Sequence, residues 1–189
     1  MPFTFEKQSI EDVILVTPKV FGDNRGFFME TYKKSDFEAN GIMGEFNQDN
    51  HSKSTKGVLR GLHYQEQPYS QAKIVRCLKG KIYDVAVDIR KGSPTYGKYF
   101  GVVLSEDNKK QFFIPKGFAH GYYVISGEAE FCYKCSDFYH PEDQDGIAWD
   151  DKDINISWPL KKDIKVILSK QDENRKSFKE YDKENNWLK

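Results

Sequence analysis

Apolar and polar positions alternate, or apolar residues cluster in short runs, at 13–18 (VILVTP), 72–78 (AKIVRCL), 81–89 (KIYDVAVDI), 99–105 (YFGVVLS), 111–115 (QFFIP), 121–125 (GYYVI) and 130–135 (EFCYKC). Successive side chains of a strand point to opposite faces, so this period of two predicts strands. Turn signals separate the runs: Lys79-Gly80, Lys91-Gly92-Ser93-Pro94, Pro115-Lys116-Gly117 and Ser126-Gly127. Short strands so spaced predict an all-β sandwich or barrel. Only 33–41, KKSDFEANG, predicts a well-formed helix, with Ser35 as N-cap and Gly41 as the stop; a late helix is expected around 177–186. No repeat, linker or low-complexity stretch interrupts the pattern, and the reading is one domain over 1–189.

Composition narrows the partners. Aromatic residues make up 15% of the chain, a load that favours sheet. Lys+Arg and Asp+Glu are both 29, so no overall basic excess recruits nucleic acid, and an anionic ligand must be met by a local group of cations. The opening residues MPFTFEKQSIEDV carry neither a positive nor an apolar signal region, and no apolar run approaches the ~20 residues that span a bilayer. The cytoplasm is the expected location, with no membrane partner. Three cysteines make no disulfide framework.

One segment breaks the strand grammar. GVLRGLHYQ (57–65) places an arginine, a histidine, a glutamine and two glycines among its apolar residues. Strict alternation sends Arg60 and His63 to opposite faces; a bulge at Gly61 would unite them. A metal-binding cupin would carry a second histidine where Gln65 stands, and His63 with His120 falls short of the three N or O ligands that a mononuclear metal needs. No metal is expected. In CYKC, Cys132 and Cys135 fall on opposite faces, so buried free thiols are expected rather than a paired motif. Lys73 shares a face with Val75 and Cys77, and lysine is out of place on an apolar interior, so spacing alone favours the outer face. Taken singly, His63 and Tyr133 read as packing residues.

Longer motifs carry further. FGDNRGFFMETY (21–32), FNQDNHSKSTKGVLRGLHYQ (46–65), QAKIVRCLKGKIYDVAVDIRKGSPTYGKY (71–99), IPKGFAHGYYV (114–124) and CSDFYHPEDQDGIAWDD (135–151), followed by SWP and LSKQD, resemble the dTDP-4-dehydrorhamnose 3,5-epimerase family over most of the chain. The resemblance implies a metal-free, cofactor-free cupin: a jelly-roll β-barrel with a few short peripheral helices, dimeric through exchanged N-terminal strands. Its substrate would be a nucleotide-diphosphate 4-keto-6-deoxy sugar inverted at C3, C5 or both.

By motif match, His63 resembles the base, Asp172 the carboxylate that orients it, Lys73 the cation beside the keto oxygen, and Tyr133 the acid on the opposite face. Arg25 and Arg60 match diphosphate contacts; Glu30, Gln48, Asn50 and His120 match substrate contacts, and Gln144 and Lys170 complete the binding set. Two positions depart from the common pattern: Gln144 stands where many members carry Glu, and Gln171 where a lysine is common. The alternatives that follow are a GDP-linked 4-keto hexose or heptose as substrate and, from another class, a silent sugar-nucleotide-binding cupin.

Overall fold

The computed structural model describes residues 2–10 and 12–184. In chain order the strands are β1 (Phe3–Lys7), β2 (Ile14–Pro18), β3 (Phe21–Asp23), β4 (Gly26–Phe28), β5 (Gln48–Thr55), β6 (Leu59–Gln65), β7 (Lys73–Asp88), β8 (Tyr99–Ser105), β9 (Gln111–Ile114), β10 (Phe118–Cys135) and β11 (Gln144–Gly146). Helix α1 covers Lys34–Glu38 and α2 covers Phe178–Glu184. The chain is all-β with short peripheral helices, as its alternation predicts.

The runs 72–78 and 81–89 are one strand, β7, and 121–125 with 130–135 are one strand, β10. The glycine signals read as strand ends are bends inside these strands. Gly80 takes φ +77°, and the β7–β10 register shifts between Val124 and Ala129 at the same level. A β-bulge of this kind bends a strand without ending it.

The bend divides the labour of the two long strands. The first part of β7 pairs with β9 and its second part with β8, while the first part of β10 pairs with β6 and its second part with β5. All these pairings are antiparallel. Two sheets result, β8–β7–β10–β6–β11 and β1–β2–β9–β7–β10–β5, joined through the shared pair. This is the jelly-roll sandwich of the cupins.

Alternation then sorts the side chains. Val75, Cys77, Ile82, Ala86, Phe112, Ile114, Tyr122, Val124 and Phe131 fill the space between the sheets. Burying one such side chain contributes roughly 1.5–3 kcal/mol, so the interior tolerates polar groups only where they are partnered. The outer faces are covered in turn. Ile14, Val16, Ile74 and Phe113 pack under Phe3, Phe37 and Ile42, whereas Leu62, Tyr64, Val85 and Val87 pack under Ile147, Ile154 and Tyr181. The C-terminal segment is thereby brought against the back of β6.

Helix α1 is shorter than 33–41, and its N-cap is Lys33, with no side-chain cap hydrogen bond; Ser35 lies inside the helix instead. Gly41 does end the local structure, at φ +89°. Helix α2 fits the expected late helix as far as Glu184, and residues 185–186 lie outside the described residues. No helix of the described residues is long and apolar enough to cross a membrane.

Candidate active site

The anomalies of 57–65 meet on the inner face. His63 stands opposite His120 and Arg60 opposite Tyr122, so three steps along β6 match two along β10. That extra residue is a β-bulge, and it turns Arg60 and His63 to the same face. Gly61 makes the bulge: its φ is +124°, and a Cβ there would come within 2.5 Å of Gly121 Cα. No other residue type adopts that backbone so close to a neighbouring strand.

Lys73 corrects the spacing argument. It stands opposite Cys135 across β7–β10, on the inner face with Val75 and Cys77. Its amine end is desolvated, and burial holds its pKa below the ordinary 10.5, partly offset by the nearby Cys135 and Asp84. Tyr133 lies on the same face of β10, packed against Phe131 at 5.5 Å between ring centroids. Burial pushes its phenol up to about 12, so it is protonated throughout the neutral range.

Two imidazole–carboxylate pairs define the site. His63 Nε2 donates to Asp172 Oδ1 at 2.6 Å, and the Asp172 carboxylate also accepts from Ser169 Oγ at 2.8 Å. Asp172 comes from a 3-10 turn, Asp172–Asn174, carried by the segment docked behind β6. Burial holds His63 below its ordinary 6.5 against the opposing pull of Asp172. Burial alone would raise Asp172, but the hydrogen bond and charge of His63 together with Ser169 and Arg175 outweigh it and hold the carboxyl below the usual range. His120 Nε2 donates to Asp84 Oδ1 at 2.9 Å. Asp84 is fully buried, and burial raises its pKa despite His120 and Lys73.

Sequence reading missed Asp84. Its signal was a carboxylate in the middle of the apolar alternation of KIYDVAVDI, a place that calls for a buried partner.

Polar side chains of β5 line the neighbouring wall. Gln48 Nε2 donates to Asn50 Oδ1 at 3.0 Å, and Asn50 Nδ2 approaches Cys135 Sγ at 3.6 Å. Ser52 and Ser54 each bond the Tyr122 hydroxyl, and Arg60 Nη2 donates to Ser54 Oγ at 3.1 Å. Gln65 is spent on structure: its amide donates to the carbonyls of Tyr69 and Phe138 and accepts from the His140 N–H. Among the described residues no cluster of three or more His, Cys, Asp or Glu gathers as a metal site would require. Cys132 and Cys135 lie on opposite faces as alternation predicts; Cys135 is buried, Cys132 only half-buried.

The remaining expected contacts come from other segments of the chain. Arg25 sits at the tip of the β3–β4 hairpin, its side chain 85% exposed and paired with Asp23 at 2.6 Å. Glu30 lies in irregular chain beyond that hairpin, Gln144 opens β11 opposite Gln65, and Lys170 is exposed just before the Asp172 turn.

Known proteins match this chain over most of its length. The family model described as dTDP-4-dehydrorhamnose 3,5-epimerase matches residues 7–180. The dTDP-4-dehydrorhamnose 3,5-epimerase of Shigella flexneri is 57% identical over 93% of this chain and 96% of its own length. The dTDP-6-deoxy-D-glucose-3,5-epimerase of Legionella pneumophila Philadelphia 1, solved with dTDP-4-keto-L-rhamnose, superposes with a TM-score of 0.89 at 49% identity, covering 93% of this chain and 92% of that one. The corresponding enzyme of Bacillus anthracis, with TDP and pyrophosphate bound, gives 0.88 at 39% identity over 93% and 99%. On these matches and on the fold they share, the chain belongs to the dTDP-4-dehydrorhamnose 3,5-epimerase family.

Proposed function

We propose that this protein is an isomerase that inverts C3 and C5 of dTDP-4-dehydro-6-deoxyglucose through an enolate. The observation that carries the reading is the His63–Asp172 pair, held at 2.6 Å on the inner face that also presents Lys73 and Tyr133. The 4-keto group of such a sugar acidifies the hydrogens on both neighbouring carbons. Epimerisation then requires a base, a partner for the enolate oxygen and an acid on the far side.

With Nε2 engaged by Asp172, neutral His63 offers Nδ1 to take the proton, and Asp172 stabilises the imidazolium that forms. Lys73, with His120 oriented by Asp84, meets the charge that develops on the carbonyl oxygen. Tyr133 returns a proton to the opposite face. No cofactor enters the scheme, because the carbonyl supplies the acidity.

Family membership supports a dTDP-linked ligand, and nothing among the relatives supports the GDP-linked alternative. Arg60 and Lys170 would meet the diphosphate end with Gln144, while Gln48 and Asn50 would meet the sugar. Arg25 and Glu30 fit this scheme in a homodimer whose N-terminal strands are exchanged, so that one protomer's hairpin closes its partner's site. The 49–66% exposure of Phe21, Phe27 and Phe28 on that hairpin supports such an exchange. A cytoplasmic location suits a ligand of this kind.

The reading is tested by incubation with the 4-keto sugar nucleotide in deuterated water, followed by NMR. Label enters C3 and C5 with the wild-type chain and neither carbon with His63→Ala. Tyr133→Phe retains exchange but loses net inversion. Exchange surviving in His63→Ala overturns the assignment of the base. Absence of exchange with the wild-type chain favours the silent binding cupin.

A further inference from the structure

Arg175 is charged, largely shielded from solvent and incompletely bonded. Its side chain is 11% exposed; Nη1 lies 3.4 Å from Asp145 Oδ1, and Nε lies 3.8 Å from Asp172 Oδ1. Nε and Nη2 are buried with no hydrogen-bond partner among the described residues. A guanidinium kept from water in this way is costly unless nearby anions offset its charge, and here Asp145 and Asp172 do so only at 3.4 and 3.8 Å.

Its place is built by Gly146. Gly146 stands directly opposite His63 across β11–β6. Position 146 has no side chain. A Cβ would fall 2.5 Å from the Leu62 carbonyl oxygen, 2.9 Å from Arg175 Nε and 3.0 Å from its Cδ, so the β6 backbone and the Arg175 side chain together crowd the space a side chain would take. The chain thus sets a permanent cation next to the imidazole and its carboxylate.

We propose that Arg175 is a positioning residue that fixes the charge state of the His63–Asp172 pair, keeping Asp172 ionised and His63 neutral at working pH. The inference rests on the reading of His63 as the base. With Arg175, the resting trio of anion, neutral ring and cation carries no net charge, and protonating the ring places two cations side by side. The groups that face the ring are Asp172 and Arg175 from the C-terminal segment, Lys73 from β7, and His120 from β10 with its partner Asp84, while Asp145 of β11 faces Arg175. Of the cations, Lys73 is assigned to the substrate, which leaves Arg175 free to act only through the pair. Its charge lowers His63 and Asp172 alike.

Arg175→Met removes the charge at similar bulk, and Arg175→Lys restores it; Arg175→Gln replaces the Met variant should that one fail to fold. Two readouts apply. NMR titration of the His63 ring should show its pKa rising by about half to one unit in Arg175→Met and returning in Arg175→Lys. The acidic limb of kcat/KM should move upward by the same amount, with KM at neutral pH unchanged. An unshifted ring pKa in the folded uncharged variant overturns the proposal, as does a raised KM with unchanged kcat, which would make Arg175 a substrate contact. A ring pKa that moves while the kinetic limb stays put upholds the charge coupling and refutes His63 as the base.

Discussion

Lys73 and Cys135 face each other across the central ladder, one strand supplying a desolvated ammonium and the other a buried thiol. A cation placed there meets no carboxylate at salt-bridge distance among the described residues, and Asp84 acts on it only through space. Such a group is ready for a charge that the resting protein does not supply.

Lys73→Ala therefore slows the reaction by roughly 10²–10³, the scale of losing one donor to a developing oxyanion. The same residue sets the alkaline limit. Lys73 titrates below 10.5 while Tyr133 titrates near 12, so activity falls first as the ammonium is lost. A kcat/KM profile should carry its alkaline limb upward in Lys73→Arg; an unchanged limb would assign it elsewhere.

On the acid side, His63 is held below 6.5 and must be neutral to act, so activity persists somewhat under pH 6.5 and is lost as pH falls through the folded value. Stability follows the same sign. Between the folded pKa and 6.5 the unfolded chain binds a proton that the folded chain refuses, so stability drops as pH falls through that window. Asp172, also depressed, contributes stability above 3.8 that is lost as pH falls through its own folded value. Thermal melts of wild type and His63→Gln across pH 4–7 should converge toward the acid end, and parallel curves would contradict the assignment.

Gly61→Ala tests the bulge. The left-handed backbone alone costs about 1–2 kcal/mol for a residue with a Cβ, and the contact with Gly121 adds to it. A Tm lower by about 2–8 °C is expected, together with a larger loss of kcat than the stability change explains, because Arg60 and His63 lose their common orientation. Full activity in a folded Gly61→Ala chain would show that the bulge is dispensable.

Mixed dimers test strand exchange. His63→Ala and Arg25→Ala chains are each inactive or nearly so, yet a heterodimer pairs an intact His63 with an intact Arg25 in one of its two sites. Half of the dimers would be mixed, so unfolding and refolding an equal mixture should restore about a quarter of wild-type activity. No recovery would place Arg25 in its own chain's site.

The β class was legible because alternation is local, whereas the strand ends were not. Gly80 and Ser126-Gly127 look the same in sequence whether they turn the chain or bend it, and the pairing of Ala129 with Gly80 decides the matter. Alternation grouped Lys73 correctly with Val75 and Cys77, and only the rule that interiors are apolar turned that face outward; the rule fails at a polar position inside the sandwich. Family motifs supplied His63, Lys73, Tyr133 and Asp172 at once, since their meeting depends on contacts 109 residues apart. Asp84 and Arg175 escaped because each is a single charged residue whose significance lies entirely in its neighbours.

The bent pair of long strands has one more implication. β7 carries Asp84 beyond the bend and Lys73 before it, and β10 carries His120 and Tyr133 likewise on either side. The two flanks of the proposed site are therefore mounted on the same two ribbons, like jaws sharing a hinge. A substitution at Gly80 or Ser126, touching no ligand, would alter the gap between the jaws, and offers a route by which this scaffold can be refitted to a sugar of different girth.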